Sequence, residues 1–433
     1  MQHSDHGRRA VGLDFGTTNS AVAVAAAGQP PRLARFPSGA GDTETFRSVL
    51  FFEGRRATQR NAEFAYAGPS AIEHYLESSQ KGRFIQSLKA YLGDASFTGT
   101  IVGGRQRTLE ALIGLILQKL LAAATVSLGP FPGRVIVGRP VHFTDARSAE
   151  DDALALSRLR SALRLAGIGD PVFEFEPVAA AYAYQQSIRT PETVLIADFG
   201  GGTSDFSLLS LAPNDSTQPG RIDILGNDGL AFAGDVFDRA IVRHAVAPRL
   251  GKGSHYVSGP DKVLPMPDWV YAKLERWHYL SFLKSAPTIE IIERVQATSD
   301  APQEIAALLN LIDGDLGYEL HAQVNRTKSE LSSAMQSKFH FDLFPLAIDW
   351  DATRGEFTDW IQPQLDGIAQ TVDALLGTTG LGPEAIDRVF LTGGSSFVPA
   401  VRDIFIRTFG RDKLAGGNEL TSVATGLALR GLV

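Results

Sequence analysis

The chain has 433 residues, 44% of them hydrophobic and 21% charged, a length that exceeds one simple core and fits two lobes or more. Its formal net charge of −7 argues against an extended surface for nucleic acid or an anionic membrane. With no cysteine, disulfides, thiolate zinc sites and cysteine nucleophiles are excluded, which fits a reducing cytoplasm.

The first nine residues, MQHSDHGRR, are polar and lack the apolar core of a signal peptide. Residues 11–24, VGLDFGTTNSAVAV, pass from an apolar run through Asp-Phe-Gly and a Gly/Thr turn into an alternating run. That pattern predicts a strand–turn–strand hairpin. Successive backbone N–H groups in such a turn form a nest for phosphate oxygens. Gly16, Thr17, Thr18 and Asn19 would supply the backbone and hydroxyl donors. Asp14 would face the same anion, which is tolerable only with a cation between them. The bland alternative is an aspartate that hydrogen-bonds its own turn.

Residues 46–124 read as an insertion. Within it RFIQSLKAYLG, at 83–93, is a helical patch carrying Lys89. The most apolar window, LEALIGLILQKLLAAATVSL at 109–128, is interrupted by Gln118 and Lys119. Its leucines and isoleucines recur at helical spacing, which predicts an amphipathic core helix in preference to a membrane span. VIVGRP at 135–140 reads as a strand returning to the sheet, and FEPVAAAYAY at 175–184 as a helix. Glu176, standing before Pro177, is expected to be extended at a strand end; the alternative is a plain helix-start acid.

Residues 194–209, VLIADFGGGTSDFSLL, repeat the hairpin, with Asp198 placed 184 positions (198 − 14) after Asp14. Gly200, Gly201, Gly202 and Thr203 form the second turn. Two acidic glycine turns at matched positions are the signature of a magnesium nucleotide gripped from both sides. Mg²⁺ keeps most of its waters and is reached through one or two carboxylates, so Asp14 and Asp198 would hold it through water.

A second insertion runs from about 235 to 360, with a Pro-rich stretch, SGPDKVLPMPDW, and helices expected at 323–335 and 356–376. Gly380, Gly382 and Ala385 form a G-x-G-x-x-A that contains Pro383 and precedes a strand, so it reads as a helix-ending loop. VFLTGGSSFVPAV at 389–401 predicts a buried strand, a turn at Gly393-Gly394-Ser395, and a helix starting near Phe397 with Pro399 in its first turn. The final LTSVATGLALRGLV reads as a small-residue helix. There is no G-x-x-x-x-G-K-[S/T], no H-E-x-x-H and no G-x-S-x-G.

These elements resemble the two phosphate motifs and the adenosine motif of the actin-like ATPase superfamily, which also holds sugar kinases. Within it the chain is most similar to the DnaK-type, 70-kDa heat-shock chaperones. DFGTTNS at 14–20, FEPVAAAYAY at 175–184 and GGGTSD at 200–205 carry the narrower likeness, which spans residues 11–430 in order. The resemblance implies an α/β actin-like (ribonuclease H-like) fold of two lobes, each a mixed sheet flanked by helices with an inserted subdomain. The nucleotide would lie in the cleft between them. Lobe I would be residues 1–190 with the insert at 46–124, the C-terminal helix 415–433 returning to it; lobe II would be 191–414 with the insert at 235–360.

The resemblance further implies ATP or ADP with Mg²⁺ as ligands. Thr17 and Thr203 would position the γ-phosphate and the attacking water, and Lys89 would orient that water. Glu176 would couple the site to the helix between lobes, and Asp205 would act as a base or as a partner to metal-bound water. Gly234 and Asp235 stand near the phosphates and ribose, with Ala233 replacing a usual glycine. Lys328 matches a basic residue beside adenosine. Asn325 stands where an acid is usual, and Ser329 and Phe397 where arginines are usual, which alters that wall of the pocket.

The expected activity is Mg-dependent ATP hydrolysis driving lobe opening and closing, in a cytoplasmic chaperone-related ATPase. Its partners would be nucleotide, client proteins and co-chaperones, with no nucleic acid or membrane. The chain stops where the family's apolar linker would begin, so no peptide-binding domain is expected. The alternatives are a non-hydrolysing docking module, a small-molecule kinase of the same fold, and a filament former.

Overall fold

The computed structural model describes residues 9–39, 41–54, 65–78, 82–131, 134–144, 146–214, 220–276, 283–415 and 421–433. Most of the polar N-terminus, parts of both expected insertions and residues 416–420 of the returning segment lie outside the described residues. The chain divides into two compact units. The first is Met1–Gly234 with Ile368–Ser396 and Val401–Val433; the second is Asp235–Gly367 with Phe397–Ala400. Both acidic hairpins therefore belong to the first unit, whereas the lobes expected from the sequence would part near residue 190.

The first unit opens with β1 (Arg9–Phe15), β2 (Asn19–Ala26), β3 (Gln29–Leu33) and β4 (Phe46–Arg47). The inserted segment supplies β5 (Val49–Phe52), β6 (Ala65–Ala67), α1 (Pro69–Glu77), β7 (Arg83–Gln86) and the hairpin β8 (Gly99–Val102) and β9 (Arg105–Thr108). Then follow α2 (Leu109–Leu128), β10 (Arg134–Arg139), α3 (Ala149–Leu165), β11 (Val172–Phe175) and α4 (Glu176–Gln185). The repeated hairpin forms β12 (Glu192–Phe199) and β13 (Ser204–Leu211), followed by β14 (Ile222–Leu230); α5 (Gly234–Ile241) then opens the second unit.

The second unit continues with β15 (His255–Gly259), β16 (Lys262–Pro265), α6 (Asp268–Leu274), α7 (Ala286–Gln296), α8 (Pro302–Asp313) and α9 (Gly317–Ser333). It closes with β17 (Gln336–Leu343), β18 (Leu346–Thr353) and α10 (Arg354–Trp360). After α11 (Gln362–Thr379) come β19 (Arg388–Thr392), α12 (Pro399–Phe409), β20 (Leu414–Ala415) and α13 (Ser422–Arg430).

The two main sheets are wired alike. One runs β11-β10-β1-β2-β3, the other β14-β13-β12-β19-β20. In each, the Asp-bearing strand pairs antiparallel with its hairpin partner and parallel with a later strand: β1 with β2 and β10, β12 with β13 and β19. Each Asp-bearing strand is thereby central and buried on both faces, so its apolar residues form a near-continuous run. Between the sheets, one close helix crossing depends on a glycine. A Cβ on Gly426 of α13 would run into the Ala179 carbonyl of α4, so only glycine lets the two helices cross this closely.

Two sequence expectations change in detail, and a third is met. The stretch at 356–376 is two helices, α10 and α11, parted at Ile361. Thr353 and Glu356 form a capping box on the first, and Pro363, with no N–H to give, starts the second near its N-terminus. The helix after the Gly-Gly turn begins at Pro399, preceded by a 3₁₀ turn at Gly394–Phe397. The apolar window at 109–128 is a core helix, with Leu112, Ile113, Ile116, Leu117 and Leu120 buried on one face.

Candidate functional site

Each acidic hairpin ends in a turn tied down from outside. In the first, the Ser48 hydroxyl donates to the Gly16 carbonyl at 2.7 Å and the Ser48 N–H donates to the Thr18 carbonyl at 3.0 Å. A Cβ on Gly16 would collide with the Asn19 carbonyl, which explains the glycine. Asn19 accepts from the Arg47 guanidinium at 3.3 Å, so its side chain is engaged within the sheet. In the second, Gly200 N–H donates to Thr203 O at 2.9 Å, and Gly200 O accepts from Gly234 N–H at 3.3 Å and from Ser395 Oγ at 3.4 Å.

The turns meet each other. A Cβ on Gly202 would lie 3.1 Å from the Thr17 hydroxyl oxygen and closer still to that of Thr144. Thr17 and Thr203 are both buried there. Thr18 and Gly201 flank them in their turns.

Lys89 comes into the same place by a short detour of the chain. After β7, Ser87 adopts a left-handed φ of 51°, and Lys89 lies on the single 3₁₀ turn Leu88–Tyr91, where the sequence patch had suggested a helix. A left-handed non-glycine residue costs on the order of 1 kcal/mol and persists only where its surroundings fix it. The Lys89 ammonium is buried and donates to Glu176 Oε1 at 2.8 Å. Glu176 is the first residue of α4, so the expectation of an extended strand-end residue is corrected. The strand stops at Phe175, whose ψ of 134° is extended, and Pro177 sits within the first helical turn where its missing N–H costs nothing. Gly138 on β10 leaves room for the glutamate: a Cβ there would come within 3.1 Å of Glu176 Cγ.

Burial and like charge shape the titration of this cluster. Asp14 is pushed up to about 7 by desolvation and by Glu176, against the pull of Lys89. Asp198 is raised well above the usual carboxylate range by desolvation, then by Glu176, Asp205 and Asp14. Asp205 is pushed up to about 7 by desolvation and Glu176, while the Thr203 hydroxyl and the Val141 N–H favour its charged form. Burial works against the charge of Lys89, yet the surrounding carboxylates, Glu176 first, outweigh it and raise its pKa. Asp205 stands opposite Asp198 in the β12–β13 register. Its Oδ1 accepts the Val141 N–H at 2.6 Å, and its Oδ2 is buried without a hydrogen-bond partner.

Four carboxylates gathered around one buried ammonium, with one carboxylate oxygen orphaned, suit an added cation. Among the described residues no group of three or more His, Cys, Asp or Glu can hold a metal directly. An ion that keeps its own water shell, as Mg²⁺ does, suits such donors, and Asp14 and Asp198 would be the residues to hold it through water.

Gly393, Gly394 and Ser395 stand beside the second hairpin. β19 pairs with β12 so that Thr392 is level with Asp198. Gly393 has φ +80° and its missing Cβ leaves space for the Phe199 carbonyl. Gly234, through its N–H to Gly200 O, joins the same turn. In the second unit, Asp235 is buried in the first turn of α5, and Lys328 on α9 pairs with Asp238 of α5 at 2.9 Å. Phe397 is 46% exposed.

Sequence reasoning missed the loop after β10. Val141 holds Asp205, Thr144 touches Gly202, and Arg139 anchors the loop. The VIVGRP run is the strand expected, and the arginine closing it is the available signal for the loop. The family model described as Hsp70 protein matches residues 85–253 and 313–433, about two thirds of the chain, including the site residues from Lys89 to Asp235. The chain belongs to the Hsp70 family and has its α/β actin-like ATPase fold, in several mixed sheets flanked by helices.

Proposed function

We propose that the protein binds ATP with magnesium and hydrolyses it, as a chaperone-type ATPase whose lobes open and close with the nucleotide. The single observation that carries this is the buried Lys89–Glu176 pair amid Asp14, Asp198 and Asp205, at the junction of two Gly/Thr turns. Phosphoryl transfer needs little covalent help from a protein, so positioning and charge stabilisation supply most of the catalysis.

In this reading the backbone N–H groups of the turns at Gly16–Asn19 and Gly200–Thr203 cradle the phosphates. The hydroxyls of Thr17 and Thr203 set the terminal phosphate and a water. Lys89, held by Glu176, keeps its remaining N–H donors for the water and the γ-phosphate oxygens. That water bonds to the γ-phosphorus as the bridging bond to the β-phosphate oxygen breaks, leaving ADP and inorganic phosphate. Its proton passes to Asp205 Oδ2, whose raised pKa, about 7, suits a base working near neutrality. Magnesium, when bound, neutralises phosphate charge; Asp14 and Asp198 would hold it through its waters.

Residues 1–190 and 191–414 would act as the two moving lobes, in a cytoplasmic protein that meets co-chaperones and clients. Phosphate release is the test, measured with ATP in the presence and absence of Mg²⁺. Turnover that requires Mg²⁺ and is lost in Asp198→Asn and Lys89→Ala is expected. ATP binding by calorimetry with no phosphate released would select a non-hydrolysing docking module, and phosphate transferred to a sugar would select a kinase.

A further inference from the structure

Arg139 closes β10 level with Phe175 of β11, one residue before Glu176. Its guanidinium lies between two aromatic rings, 4.9 Å from the Phe175 centroid and 5.5 Å from that of Phe143. It turns back on its own chain. Nε donates to the Pro140 carbonyl at 2.9 Å and Nη2 donates to the Val141 carbonyl at 2.9 Å.

The Pro140 carbonyl and the Val141 N–H belong to one planar peptide unit. One side of that plane is gripped by Arg139, and the other donates to Asp205 Oδ1 at 2.6 Å. A charged donor on the carbonyl polarises the peptide and strengthens its N–H toward the carboxylate. The far end of the loop is tied separately: Asp152 on α3 accepts the Phe143 N–H at 2.8 Å and contacts His142 Nδ1 at 2.8 Å. Between those ties, Thr144 meets Gly202 of the second turn.

We infer that Arg139 is a positioning residue for hydrolysis: by fixing the Pro140–Val141 peptide it holds Asp205 Oδ1 and so aims the free Oδ2 into the site. This rests on the reading of Asp205 as the proton acceptor. Lysine cannot replace the arginine, because a point charge holds neither both carbonyls nor both ring faces at once.

The test has two arms on the full chain. Amide hydrogen exchange reports the peptide directly, without any turnover. In Arg139→Gln, Val141 should lose protection at least about ten-fold while Ile136 and Val137 in the same strand keep theirs. Unchanged Val141 protection would overturn the inference. Should Arg139→Gln fail to fold, Arg139→Lys and Phe143→Leu carry the same measurement, with Phe143→Leu keeping both donors and expected to retain most of the protection.

The second arm is a double-mutant cycle on ATP turnover. Arg139→Gln should lower kcat about ten-fold with ATP affinity changed less than about three-fold, and should cost nothing further on an Asp205→Asn background. Additive losses, or weakened binding at unchanged kcat, would overturn it. A wild-type protein that releases no phosphate would end the hydrolysis reading, while the exchange result would still decide whether Arg139 fixes this peptide.

Discussion

The two acidic hairpins share one plan and differ in the residue that stands opposite the aspartate. In both, Asp-Phe-Gly closes a central strand, and the glycine carbonyl accepts a serine hydroxyl from a separate segment, Ser48 for Gly16 and Ser395 for Gly200. Opposite Asp14, however, stands Ala21, whereas opposite Asp198 stands Asp205. Asp14 keeps some exposure to solvent, and Asp198 and Asp205 are buried. The first hairpin can only hold and orient a charge. The second sets two carboxylates directly opposite each other, so their proton affinities are linked and one can take a proton while the other stays charged. On the proposed reading, both hairpins would grip the nucleotide and the extra acid would make the second the chemical one.

The strongest break in this comparison is removal of the two charges in turn. Asp198→Asn should reduce phosphate release about 100-fold or more, and Asp14→Asn about ten-fold, at saturating ATP and Mg²⁺. Equal losses would show that the hairpins are functionally equivalent.

The second compact unit supplies a contrast in His321, a buried base. His321, with Nε2 3.4 Å from the Leu274 carbonyl, is lowered to about 4 by burial. Its folded pKa lies below its unfolded value of about 6.5, so the folded state resists the proton that the unfolded chain accepts. Its cost is absent above pH 6.5 and grows as pH falls from 6.5 toward 4. Between pH 7.5 and 4.5 the wild type should therefore lose about 2–3 kcal/mol more stability than His321→Gln, measured by urea midpoints. Parallel pH profiles for the two proteins would contradict this.

A steric pair of substitutions sharpens the hairpin comparison further. A Cβ on Gly16 would strike the Asn19 carbonyl, whereas one on Gly200 would sit 3.4 Å from Thr203 O, ordinary contact. Gly16→Ala should cost about 2 kcal/mol and weaken ATP binding, while Gly200→Ala should stay within about 0.5 kcal/mol of wild type.

What could be read from the residues alone follows the same division between local and distant contacts. The hairpins, the core helix at 109–128 and the crossing helix at the end are written in nearby residues: a period of two or 3.6, a glycine where the chain turns. Asp14, Asp198 and the turn threonines are legible because the motif occurs twice. The Lys89–Glu176 pair joins residues 87 positions apart, and the Asp205–Val141 bond joins residues 64 apart. No local pattern encodes either. Glu176 was misplaced for a related reason: the rule that a residue before proline is extended yields to a helix that starts at that residue. Arg139 does end its strand, and because its carbonyl partners lie one and two residues ahead, periodicity carries no signal for them.

The smallest expected effect tests the serine braces themselves. Ser48 is buried, donates to Gly16 O at 2.7 Å and lies 2.9 Å from the Ser20 hydroxyl, so Ser48→Ala strands a carbonyl and a hydroxyl together. Ser395 reaches Gly200 O only at 3.4 Å, and that carbonyl also accepts the Gly234 N–H, so Ser395→Ala leaves it satisfied. A neutral hydrogen bond contributes about 1 kcal/mol net, and an orphaned buried partner costs more than a shared one. Ser48→Ala should lower stability by about 1–1.5 kcal/mol and Ser395→Ala by about 0.3 kcal/mol, measured by urea unfolding. If the two variants unfold at the same urea concentration, the braces are equivalent, and the difference between the hairpins reduces to the acid opposite Asp198.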